Sequence, residues 1–127
     1  MRYMMMIKAT SDYEAGKPPP PALIAAMGAL TEEMMRTGVV ESTGGLLPSA
    51  MGTRLSYAGG RRSVTDGPFA ETKDLIGGYA IINADTRERA FALAQRVLDI
   101  HVDAGVSDFE LEIRPLYDAA NGGCAKA

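Results

Sequence analysis

The order of hydrophobic patterns along the chain predicts an α+β domain of ferredoxin-like, split βαβ topology with an inserted β-hairpin. Three observations predict it. The patterns run strand, helix, strand, hairpin, strand, helix, strand. Two of the strands, residues 3–7 and 79–82, are apolar on both faces, and these are the two that lie centrally in that topology. Finally, Gly59-Gly60 stands between two short runs of strand-forming residues, a two-residue hairpin signal.

Residues 2–8 read as the first strand, with Tyr3, Met5 and Ile7 on one face and Met4 and Met6 on the other. A polar connection from Ser11 to Lys17 leads into Pro18 to Pro21. Such a run is preorganised as extended polyproline, and its last member can open a helix at the first helical position; docking to an aromatic groove is the alternative reading. Helix follows from Ala22 to about Thr37. Leu23, Met27, Leu30 and Met34 recur at steps of four, three and four and so share a face, with Glu32, Glu33 and Arg36 off it. Gly38 stands where the helix should stop. A methionine stripe of this spacing is either an adaptable groove or core, and core is the commoner case.

Val39 to Ser42 reads as a strand, Thr53 to Ala58 and Arg62 to Thr65 as the hairpin arms, and Tyr79 to Ile82 as the next strand. Asp85, with Glu88 three residues on, has the form of a capping box. The helix it opens is expected to reach Ile100 or His101 and to bury Ala90, Phe91, Ala94, Val97 and Leu98. Phe109 to Arg114 alternates as a half-exposed strand does, and Pro115 ends it. The domain is thus expected to span residues 1–117, followed by a flexible tail over 118–127 rich in small residues.

Two helices cover only one face of a four- or five-stranded sheet, yet the two central strands are apolar on both. Large exposed apolar patches are uncommon on soluble monomers. The smallest assumption is a second copy packing sheet against sheet around a two-fold axis, so a homodimer is expected. The alternative is that the N-terminal segment or the hairpin folds back over the open face.

Composition narrows the function. At 127 residues the chain is one domain. Thirteen basic residues against sixteen acidic ones give a net charge of -3, which argues against nucleic acid or anionic lipid as partners. No run approaches the roughly twenty apolar residues that span a bilayer, and the N-terminal apolar run is too short for a signal-peptide core. A cytoplasmic location is expected. The single cysteine, Cys124, permits no internal disulfide and lies in the tail, where no base is held beside it. One histidine and one isolated cysteine do not make a metal-ligand set. The glycine pairs are not a phosphate-cradling fingerprint, and no Gly-x-Ser-x-Gly elbow is present. No metal or cofactor is expected.

Two places remain for chemistry. His101, with an ordinary pKa near 6.5, is suited to proton transfer, but at the end of a helix it equally serves the free carbonyls and the dipole. The segment Thr65 to Lys73 is the more unusual. Asp66-Gly67-Pro68 turns the chain sharply with a carboxylate at the entrance, and Glu71, Thr72 and Lys73 follow within one short loop. Asp66 is the candidate general base if burial raises its pKa; its structural reading is an Asx-turn. A pocket between helix and sheet, walled by this loop, would bind a small molecule through Asp66, Glu71 and Lys73, with Tyr57 and Tyr79 lining it. If it turns a substrate over, cofactor-free proton abstraction or elimination is the expected class.

The run Val64-Thr65-Asp66-Gly67-Pro68-Phe69-Ala70-Glu71-Thr72-Lys73, with Gly77-Gly78-Tyr79 after it, resembles the motif from which the DGPF-type members of the YCII-related family take their name. The opening Arg2-Tyr3-Met4, the Gly38-Val39 helix exit and the closing Glu112-Ile113-Arg114-Pro115 are similar too. The resemblance implies a dimeric α+β barrel of ferredoxin-like subunits. It also implies an association with extracytoplasmic-function sigma factors, and hence, as the alternative function, a regulatory protein-interaction module. Many YCII-related proteins pair a histidine on the first helix with an aspartate near a later strand. Here the first helix holds no histidine and only Asp66 remains, so that dyad does not carry over.

Overall fold

A computed structural model of the chain describes residues 1–71 and 74–117. In chain order its elements are β1 (Arg2–Lys8), α1 (Ser11–Glu14), α2 (Pro21–Arg36), β2 (Val40–Gly45), a 3-10 turn (Ser49–Met51), β3 (Thr53–Ala58), β4 (Arg61–Asp66), β5 (Ile76–Asn83), α3 (Arg87–Asp103) and β6 (Leu111–Pro115). Four strands form one sheet in the order β2-β5-β1-β6, every neighbouring pair antiparallel. β3 and β4 pair only with each other. The expected ferredoxin-like α+β fold is therefore present, with β1 and β5 central and the hairpin an insertion between β2 and β5.

Register assigns the faces. Tyr3 opposes Ile82, Met5 opposes Ala80 and Ile113, and Ile7 opposes Leu111, so these side chains share one face. That face meets α2 and α3. Tyr3, Met5, Ile82, Leu30, Met34, Val40, Ala90, Leu93, Ala94 and Val97 form the buried core. Ile82 is 0 % exposed, and its burial stabilises the fold by about 1.5–3 kcal/mol over an exposed position. The other face carries Met4 opposite Ile81 and Met6 opposite Tyr79, all four only half-buried and outside the core.

Several local expectations are corrected. Helix α3 is capped by Thr86, not Asp85: the Thr86 side chain accepts from the Arg89 N–H at 3.2 Å. The helix runs past His101 to Asp103. Phe91 is 54 % exposed and Leu98 is exposed as well, while Leu93 takes a core place, because the face that meets the sheet is Ala90, Leu93, Ala94, Val97 and His101. The polar stretch after β1 contains the short helix α1, begun by Thr10, whose side chain accepts from the Tyr13 N–H at 3.1 Å. β6 starts at Leu111 rather than Phe109. Pro21 does open α2, and Gly38 follows its C-cap with φ of 80°, a left-handed conformation that closes the helix. The expected tail, 118–127, lies outside the described residues, as does Cys124.

Candidate functional site

At its turn the hairpin follows the sequence. Gly59 and Gly60 both have positive φ, the pair of left-handed positions that a two-residue turn needs. At its base, Thr53 lies opposite Asp66, and the Thr53 hydroxyl donates to Asp66 Oδ1 at 3.1 Å. Beyond Asp66 the chain is clamped. The Gly67 N–H donates to the Gly52 carbonyl at 2.9 Å, and the Gly67–Pro68 peptide is cis. A Cβ on Gly67 would lie 1.7 Å from the Ser49 carbonyl oxygen, so no side chain fits there.

Ser49 is the hub of this clamp. Its N–H donates to Glu14 Oε2 at 2.8 Å, its hydroxyl donates to Glu14 Oε1, and the hydroxyl oxygen accepts from the Phe69 N–H at 3.0 Å. The Phe69 ring lies under the Arg54 guanidinium, 3.9 Å from its centroid. Thus α1, the 3-10 turn and the Asp66-Gly67-Pro68-Phe69 segment are locked together by one part-buried carboxylate. Neither Glu14 nor Ser49 stood out in the sequence. They are thirty-five residues apart, and neither lies in a periodic pattern.

The residues expected to form a pocket fall on different surfaces. Asp66 and Tyr57 share a face of the hairpin, because Asp66 pairs with Thr53, Val64 with Leu55, and Arg62 with Tyr57. Both are exposed, so the single chain does not take the Asp66 carboxylate out of water. Tyr79 is on β5, on the open face of the main sheet. Its ring lies across Gly44, where a Cβ would come within 3.0 Å of the phenol oxygen. Among the described residues that hydroxyl has no hydrogen-bond partner. Glu71 is exposed, and its carbonyl accepts from the Asp74 N–H at 3.0 Å. Lys73 lies outside the described residues. Among the described residues, Asp66 and Tyr57 on the hairpin and Tyr79 on the sheet therefore do not share one pocket within a single chain.

Elsewhere, an open hollow of about 350 Å³ lies between the end of β5 and helices α2 and α3. Met34, Ile82 and Leu93 floor it, and Asp85, Arg89 and Arg96 rim it. Arg96 is drawn toward Glu33 at 3.3 Å in an exposed ion pair, which at such positions contributes at most about 1 kcal/mol. No group of three His, Cys, Asp or Glu converges for a metal among the described residues. No described helix is long and apolar enough to cross a membrane.

Against known proteins, the model of the YCII-related domain matches residues 1–107. The chain belongs to the YCII-related family. It is also similar to an uncharacterised protein of Rhizobium meliloti (strain 1021), 27% identical over 90 residues, which span 71% of this chain and 69% of the relative.

In this YCII-related chain the one histidine is a packing residue. His101 is 8 % exposed and stacks on Phe109, ring centroids 3.8 Å apart and 13° from parallel. Its Nδ1 donates to the Val97 carbonyl at 2.8 Å, which requires the proton on Nδ1. Burial disfavours the imidazolium and lowers the pKa below 6.5, while the Val97 hydrogen bond opposes that shift in part. His101 thus bonds a carbonyl one turn back within α3 from a buried position, and does not serve the free carbonyls of a helix end, because α3 runs on to Asp103.

Proposed function

We propose that this YCII-related chain is a small-molecule-binding subunit of a cytoplasmic homodimer that works without a cofactor. Its site is the open sheet face around Tyr79, bordered by the Asp66–Glu71 segment and completed only in the assembly. The observation that carries this reading is the open face itself: Met4, Met6 and Ile81 make an apolar floor on two central strands, with an unengaged phenol at one end. An apolar surface with one convergent polar group is the ordinary composition of a ligand site. The clamp through Ser49 and Glu14 holds the bordering segment rigid, as a binding wall requires. Where binding leads to turnover, the class is proton abstraction or elimination, with Asp66 as base once assembly takes it out of water.

A thermal-shift screen of the wild-type protein against a library of small metabolites tests this. A true ligand at a hundred times its Kd stabilises by about 2.7 kcal/mol, about 10 °C in a domain of this size. The shift is expected to vanish in Asp66→Ala and Tyr79→Phe while their unliganded melting stays near wild type. A ligand shift that survives both substitutions, or no shift across the library, contradicts the reading.

A further inference from the structure

The hollow at the end of β5 lies on the helix-covered side of the sheet, the side opposite Tyr79. Its floor is the edge of the core: Met34 from α2, Ile82 from β5 and Leu93 from α3, all buried. It stays open because the side chains that could fill it are short, those of Ala84, Ala90 and Ala92. At about 350 Å³ it has the room of a small-molecule site, and its apolar floor calls for an apolar body.

The rim supplies the charges. Arg89, Leu93 and Arg96 follow at steps of four and three, so two guanidiniums stand on the face of α3 that borders the hollow, one on either side of Leu93. Arg96 is engaged by Glu33 of α2, which leaves that end neutral. Asp85 and Arg89 rim the other end, where α3 begins. Among the described residues neither takes part in an ion pair. A bare anion would pair with Arg89 but meet the Asp85 carboxylate, and a bare cation would meet the guanidinium. A molecule that carries both signs at one end satisfies both.

We propose that the hollow is a second site, which takes an apolar α-amino acid and is independent of the open-face site. The carboxylate goes to the Arg89 guanidinium, whose planar fork matches it. The ammonium goes to Asp85, and the side chain lies on Met34, Ile82 and Leu93. Both charged groups of the rim are exposed, so each contact contributes little. For a ligand of about nine non-hydrogen atoms the dissociation constant is then about 1–10 mM. Such a site reports on a millimolar pool and not on trace metabolites. At the roughly 0.1 mM of a screening library, binding this weak stabilises by a negligible amount, so it does not enter the thermal-shift test of the open face.

The test is an amide NMR titration of the isotope-labelled full-length protein with L-leucine, beside two analogues that each lack one charge: isocaproate, without the ammonium, and isoamylamine, without the carboxylate. L-leucine is expected to move the signals of residues 83–85 and 89–96 along a saturable curve. Each analogue should bind about fivefold more weakly, the loss of one exposed charge pair. Asp85→Asn should bring leucine down to the affinity of isocaproate, and Arg89→Gln down to that of isoamylamine, with the unliganded spectra otherwise unchanged. Asp66→Ala and Tyr79→Phe should leave leucine binding as it was. No saturable movement around the hollow up to about 50 mM, isocaproate binding as tightly as leucine, or movement confined to the open face around Tyr79 each overturns the proposal. The open-face site stands through any of these, because its own test is the thermal screen.

Discussion

Gly67 is the position where one added carbon does most harm. Its missing Cβ is what allows the Asp66-Gly67-Pro68-Phe69 segment to lie against the Ser49 carbonyl. Gly67→Ala must push two backbones apart, at a cost of about 1–3 kcal/mol, read as a loss of about 4–12 °C in melting temperature; an unchanged melting curve would contradict the clamp. His101 gives a pH dependence with a definite sign. Its folded pKa lies below the unfolded value of about 6.5, so between the two the unfolded chain binds the extra proton. Its contribution is complete above about 6.5 and is lost as pH falls through that value toward the lowered one. The urea midpoint should therefore drop between about pH 7.5 and about pH 5.5, and drop less in His101→Phe. A wild-type midpoint that rises over this interval would contradict the assignment. At this scale the sequence was least informative. Asp66 was legible as a turn-entry carboxylate, but the Thr53 bond, the Ser49 hub and the Phe109 stack all arise from chain segments that meet only in three dimensions.

Elements were more legible, because periodicity and turn chemistry act locally. The stripe of Leu23, Leu30 and Met34 is buried as its spacing predicted, with Met27 packed against it, and Gly59-Gly60 makes the turn it announced. What failed was at boundaries, where two adjacent residues compete for one role. Asp85 and Thr86 are both good caps, and the backbone places Thr86 at the position whose oxygen reaches the third residue on. Thr86→Ala is expected to cost about 1 kcal/mol, and Asp85→Ala no more than about 0.5 kcal/mol, as measured by chemical denaturation. Equal losses would mean that the cap is shared. α1 escaped notice because a four-residue helix carries no amphipathic period. Phe91 and Leu98 were assigned to the core on hydrophobicity alone, yet they flank the contact face rather than belong to it.

For the whole molecule, the two doubly apolar strands marked β1 and β5 as central, and the sheet order agrees. The same observation leads to the assembly. A four-stranded sheet with both helices on one side leaves Met4, Met6, Tyr79 and Ile81 to solvent unless another chain lies over them, and Leu55, Tyr57 and Val64 on the hairpin add to that surface. The sequence could raise this need but not locate the site, because Asp66 and Tyr57 lie on the hairpin and Tyr79 on the sheet, surfaces that a single chain holds apart. Sedimentation velocity of the wild-type protein from low to tens of micromolar tests the point most directly. A single species of twice the 13.5 kDa chain mass is predicted, reverting to one chain in an Ile81→Asp variant that keeps its helical circular dichroism. A wild-type species of one chain mass throughout that range would contradict the account.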